Sequence, residues 1–315
     1  MPKKITDLAV GGQAVIEGVM MRGPGLRATA VRDPQGKIQI ETVPVRSISD
    51  RFPVLKKPLL RGSVALIESL VMGIRSLSYA AKMAGEEEEQ LTDREMAGTV
   101  AFALVLACVL FIAIPTGAAK LFRFITEDPV FLNLMEGFLR LAIFLAYIWG
   151  ISRMKDVRRV FQYHGAEHKT IHCYEAGLPL TVGNVQRFSR LHPRCGTNFL
   201  LIVMLVSIFV FAFLGWPSLV ARILSRVALL PVVAGISYEV IRFAGRSENP
   251  VVQTAIKPGL WLQYLTTRPP EDEMVEVAIE SLKAVLPAEE IAEGSGEYRG
   301  AAHETEESGA GVYAG

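Results

Sequence analysis

MAGTVAFALVLACVLFIAIPTG at residues 96–117 and VFLNLMEGFLRLAIFLAYIWGI at residues 130–151 decide the fold. A hydrocarbon core about 30 Å thick is crossed by about 20 apolar residues of helix, and each run supplies that length. Two further apolar runs follow at 198–215 and 219–241. A buried helix of a soluble protein is the competing explanation for any one of them. It fails for the set, because 50% of the 315 residues are hydrophobic and that surplus is concentrated in these runs. No apolar segment follows the basic start Met1-Pro2-Lys3-Lys4, so no cleaved secretory signal is expected.

Charge orients the spans. The connection between the second and third runs carries Arg153, Lys155, Arg158, Arg159, Lys169, Arg187, Arg190 and Arg194, whereas that between the first and second has only Lys120 and Arg123 beside Glu127 and Asp128. Lysine and arginine near span ends mark the cytoplasmic side, which places both termini there when the spans number four. Gly215-Trp216-Pro217-Ser218 then forms a tight outer hairpin. Arg222 and Arg226 fit poorly: they fall just inside the fourth run, which requires snorkelling, tilt or shielding by protein. The three cysteines, Cys108, Cys173 and Cys195, are widely spaced and give no disulfide framework.

The polar parts divide by pattern. Residues 8–23, with glycines at 11, 12, 18 and 23, read as a specific loop or strand edge allowing close backbone approach. Leu26 to Val31 and Lys37 to Val45, around the turn Asp33-Pro34-Gln35-Gly36, read as a β-hairpin within a sheet of two to four strands. From Leu59 to Met83 a broad apolar face predicts a helix lying on the membrane or re-entering it. Glu86 to Glu89 form an acidic linker, and Glu271 to about Val285 a helix with acidic first turns. The expected organisation is a cytoplasmic β-containing segment at 1–58, the helix and linker at 59–95, two spans at 96–151, and a histidine-rich cytoplasmic loop at 152–197. Two spans at 198–241, a cytoplasmic segment at 242–286 and a disordered tail at 287–315 complete it.

Four of the five histidines lie between residues 164 and 192. On a helix His164, His168 and His172 share an arc of about 80°, and Glu175 falls within it. Imidazoles four residues apart can grip one metal ion, but the outer pair stands too far apart, which favours His164 with His168 and leaves His172 for a supporting role or a second metal. Glu167 is the expected general base or extra ligand: His164-x-x-Glu167-His168 has the order of inverted zinc peptidase motifs. His192 and Cys195, in His192-Pro193-Arg194-Cys195-Gly196-Thr197, are positioned by spacing to complete a site at the membrane surface. Glu17 and Glu68 are the carboxylates expected to approach it, with Arg22 as a partner for either or for an anionic substrate.

Gly11 to Arg22, Tyr163-His164-Gly165-Ala166-Glu167-His168-Lys169-Thr170, His192 to Thr197, and Thr266-Thr267-Arg268 with the acidic helix after it resemble the YqhQ-like family of bacterial membrane proteins. The resemblance covers roughly residues 8–286. Members are described as candidate metal-dependent enzymes, so it implies a bacterial origin, a membrane location and metal dependence, and no substrate.

The sequence thus predicts an α-helical integral membrane protein of the bacterial cytoplasmic membrane, with about four transmembrane helices and a cytoplasmic α+β portion. It predicts a divalent metal, zinc, held among His164, His168, His172, His192 and Cys195, with Glu167 and Glu17 as catalytic carboxylates. Arg22, Glu68, Lys169, Glu175 and Glu239 are expected around substrate or behind the ligands. The expected reaction is hydrolysis of a small-molecule, lipid-linked or peptide substrate at the cytoplasmic face; a scaffold and a transporter are the rivals. Nucleic acid is excluded as a partner, since no aromatic-and-basic recognition pattern accompanies the loop charges.

Overall fold

The computed structural model describes residues 10–85, 92–244, 247, 249–255 and 257–287. The acidic stretch Glu86 to Glu89, the tail beyond Pro287 and both chain ends lie outside the described residues. Strands β1 (Gly11–Val15), β2 (Gly18–Arg22), β3 (Leu26–Arg32) and β4 (Ile38–Pro44) form one antiparallel sheet in sequence order. Helices follow: α1 (Ile48–Arg51), α2 (Leu60–Ala84), α3 (Asp93–Cys108), α4 (Ile114–Ala118), α5 (Pro129–Ile151) and α6 (Lys155–Glu175). Then come α7 (Val182–Gln186), α8 (Gly196–Ala212), α9 (Leu219–Ala244), α10 (Pro250–Ala255), α11 (Lys257–Thr266) and α12 (Asp272–Lys283).

Strand alternation assigns each face of the sheet a partner. Val19 lies opposite Ala30 and Met21 opposite Ala28. All four are buried with Met274, Val277, Ala278 and Leu282 of α12 and with Tyr163, Ala166 and Ile171 of α6. The intervening residues turn the other way, where Val15 and Val31 pack on Ala80 of α2. Arg27 donates to the Ser76 hydroxyl at 2.8 Å and the Met72 carbonyl at 3.2 Å on that same face. The glycine-rich segment is therefore a hairpin, turning at Ile16-Glu17 with Glu17 at φ +50°.

Among the described residues, four helical stretches are long and apolar enough to cross a membrane: Leu60–Ala84, Ala97–Phe124, Pro129–Ile151 and Leu219–Ala244. The set differs in one member from the sequence expectation. Helix α8 has 17 residues, which extend about 25 Å and fall short of the hydrocarbon thickness. Helix α2 has the length, but its second half rests on the sheet through Ser76 and Ala80. Its first half crosses α9, where Gly62 and Gly235 let the two backbones approach and Arg61 pairs with Glu239. The exposed apolar side chains Leu66, Ile67, Leu70 and Val71 lie between these anchors.

The spans carry charge inside. Glu136 and Arg140, four residues apart on α5, sit in the run whose apolar length dominated the sequence reading, and both are buried with Arg222 and Arg226 of α9. Glu136 accepts from Arg140 at 2.8 Å, from Thr116 at 3.0 Å and from Arg226 at 3.3 Å. Arg226 also donates to Asn133 at 2.8 Å. Backbone irregularity feeds this cluster. Pro115 has no N–H to offer the Phe111 carbonyl, the helix widens to a π turn over Val109–Ala113, and that carbonyl accepts from Arg140 at 2.8 Å instead. Protein thus shields Arg222 and Arg226 from lipid, while Phe102, Val105, Phe209 and Phe243 face outward.

Candidate metal centre

Helix α6 has the length and the small residues to enter the space between sheet and bundle. Gly165 meets the 266–270 segment so closely that an added Cβ would stand 2.1 Å from the Arg268 carbonyl oxygen. The Arg268 amide donates to the Phe161 carbonyl at 2.8 Å and clips the segment to the helix. Gln263 of α11 fixes the opposite wall: its carbonyl accepts from the His192 amide at 2.8 Å and its NH2 donates to the His192 carbonyl at 2.8 Å. Cys195 then caps α8, its sulfur accepting from the Thr197 amide at 3.4 Å.

These constraints gather His164, His168 and Cys195, whose ligand atoms lie within 4.8 Å of one another. Backbone carbonyls fix both imidazoles. His164 Nδ1 lies 2.8 Å from the Thr266 oxygen and His168 Nδ1 lies 2.6 Å from the Arg190 oxygen. A carbonyl only accepts, so each Nδ1 carries the proton, and in the neutral ring the lone pair is then on Nε2. His164 Nε2 points at Cys195 Sγ, 3.3 Å away. Metal-binding histidines characteristically donate their second nitrogen in this way. Burial pushes the His168 imidazole below its ordinary pKa, with the Cys195 side chain opposing the shift, which keeps that ring neutral.

Glu167 flanks the trio. Its Oε2 stands 3.9 Å from His164 Nε2, and burial raises its pKa against the lowering effect of His164, His192 and a hydrogen bond from the Gly12 amide. A Cβ at Gly12 would come within 2.9 Å of Glu167 Cγ. The close approach expected of the glycine-rich segment is made here, onto a carboxylate.

The five expected ligands divide into two groups. His172, His192 and Glu175 form the second, also within 4.8 Å. Hydrogen bonds tie this group to the loop: His192 Nδ1 accepts from the Arg194 amide at 3.2 Å, which leaves Nε2 as the N–H directed at Glu175, 3.4 Å away. Arg194 pairs with the same carboxylate, and His172 Nε2 donates to the Leu191 carbonyl at 3.0 Å. This group buttresses the loop that carries Cys195.

Other expected residues have structural partners. Glu17 pairs with Arg159 and accepts from Tyr163 at 3.3 Å, beside the first half of α6. Lys169 donates to the Gln186 backbone and side chain at 2.7 and 3.1 Å. Glu68 accepts from Ser47 and the Ile48 amide, both at 2.8 Å, at the start of α1, and Glu239 is held by Arg61. Arg22 is half-buried at the end of β2, opposite Gly11 and Arg27. Sequence reasoning missed Gln263 and the two carbonyl locks; an isolated glutamine next to aromatic residues carried no sign of its partner 71 residues earlier.

His172 provides a test of this packing. Burial lowers its pKa to about 4 from an unperturbed 6.5, with His192, His168 and Arg194 adding to the effect and the Leu191 carbonyl opposing it. Between those values the unfolded chain takes up a proton that the folded chain refuses, so stability falls as pH drops below 6.5 and levels off near 4. At pH 4.5 this one residue should cost the metal-free protein at most about 2.5 kcal/mol. Unfolding midpoints measured at pH 7 and 4.5 should fall less in H172Q than in the wild type; equal falls would show that His172 does not titrate this way.

Comparison with known proteins adds kinship and no activity. Residues 57–288 match the model of a family described as "Protein of unknown function (DUF1385)". The chain is 40% identical over 309 residues to the "Uncharacterized protein YqhQ" of Bacillus subtilis (strain 168), covering 93% of this chain and 97% of that one. No solved structure matches it significantly.

Proposed function

We propose a function for this chain, which belongs to the family described as protein of unknown function DUF1385: a metal-dependent hydrolase working at the cytoplasmic face of the membrane. The observation that carries the proposal is the convergence of His164, His168 and Cys195 with both imidazole Nε2 lone pairs held available by carbonyls. Two imidazoles and one thiolate suit zinc, and three protein ligands leave a position open, as in catalytic zinc sites. Zinc, when bound, supplies Lewis acidity at neutral pH. Glu167 is placed to take and return a proton at Oε2, oriented by the Gly12 amide. Glu17, in the β1–β2 turn, steadies that helix through Arg159, about two turns before Glu167. The basic loop residues support a cytoplasmic site, and the nearby bundle supports a substrate that reaches it from the membrane, such as a lipid-linked, phosphate-containing or peptide molecule.

Elemental analysis of protein purified in detergent without chelator tests this reading. About one metal ion per chain is expected, with hydrolysis of a substrate from those classes lost on chelation and restored by zinc. A chain that holds no metal after reconstitution with zinc, manganese and cobalt overturns it.

A further inference from the structure

The far end of the bundle carries a second chemistry. Helix α8 begins at the histidine site and α5 packs along it, Asn133 near the start of α5 reaching Gly215, so the 119–128 and 213–218 connections lie at the end of these helices away from that site. Lys120, Arg123, Trp216, Pro217, Ser218, Leu219 and Arg222 line a cleft of ≈ 370 Å³ there. Lys120 and Arg123 stand exposed at its rim, Arg123 loosely facing Glu127 at 3.9 Å. Arg222 is only 1% exposed. Its Nη2 donates to the Thr116 carbonyl at 2.6 Å and its guanidinium lies 3.6 Å over the Trp216 ring, but Nε and Nη1 have no hydrogen-bond partner. Arg226, one turn deeper, has an unpartnered Nη1 as well.

Charge counting sharpens the observation. Among the described bundle residues, Arg140, Arg222 and Arg226 are buried beside one carboxylate, Glu136, so three positive charges meet one negative. An uncompensated surplus of two inside a membrane protein is costly unless an anion joins it. Thr116 links the two parts: its hydroxyl donates to Glu136 while its carbonyl holds Arg222 at the cleft.

We propose that this cleft binds a phosphate-bearing anion. Guanidinium groups match phosphate oxygens in geometry, the start of α9 adds the positive end of its dipole, and the two rim cations complete the field. A lipid headgroup and a free phosphate share this chemistry, and the site stands independently of the metal reading.

The test uses the full chain in detergent, stripped of lipid. Native mass spectrometry follows titration with phosphatidylglycerol or phosphatidylcholine, and thermal unfolding is followed with inorganic phosphate against chloride at equal ionic strength. The variants are R222Q and K120Q/R123Q, the second altering exposed side chains so that folding is preserved. Wild type should prefer phosphatidylglycerol about tenfold, and both variants should lose most of that preference. A stabilisation by inorganic phosphate that both variants lose, without any lipid preference, assigns the cleft to a free anion. Equal behaviour of wild type and K120Q/R123Q toward both probes overturns the proposal.

Discussion

Changing His164 and His168 together to alanine should strip the protein of metal. Structural zinc sites bind with about 10–16 kcal/mol shared over four ligands, so two ligands account for roughly 6 kcal/mol and their loss should weaken binding about 10⁴-fold. The contrast is E167Q. Glu167 stands outside the three-ligand group, so this variant should retain metal while turnover of an identified substrate falls about 10²–10⁴-fold. Elemental analysis and zinc titration, alongside circular dichroism to confirm the fold, distinguish the two. A double variant that keeps stoichiometric metal would remove these histidines from the site, and an E167Q that keeps full turnover would remove the base.

Replacing Glu136 by leucine should cost about 3–5 kcal/mol, because it leaves buried guanidinium groups without their counter-charge. Arg140, Arg226 and Thr116 all donate to this one carboxylate. Unfolding midpoints in detergent and the amount of chain retained in membranes report the loss. Removing the partners as well, in E136L/R140M/R226M, should recover most of it, since an apolar set of similar volume is often no less stable than a buried ion pair. A single E136L variant within about 1 kcal/mol of wild type would mean that the cluster is already solvated.

Periodicity made much of this legible. The apolar runs announced the bundle, and the four-residue histidine spacing placed His164 and His168 on one helix face, with Cys195 drawn in by its position ahead of the third run. What periodicity could not carry were partners supplied by backbone. The oxygen that fixes His164 belongs to Thr266, 102 residues away, and a carbonyl has no signature in sequence. The charges inside the spans were hidden for a related reason. Glu136 and Arg140 fall one turn apart inside an apolar run and pair with each other, so averaging over the run concealed them. Length separates α8 from α2, but the contacts of α2 with both sheet and bundle arise only in the fold.

One helix joins the two ends of the molecule. The Cys195 sulfur caps the start of α8, and at its finish the Asn133 amide donates to the carbonyls of Ala212 and Gly215 at 3.4 and 3.0 Å, next to Trp216 of the cleft. Helix α8 is therefore a tie rod, fastened at one end by a thiol and at the other by the residue that also holds Arg226. Both candidate sites therefore rest on the ends of one helix.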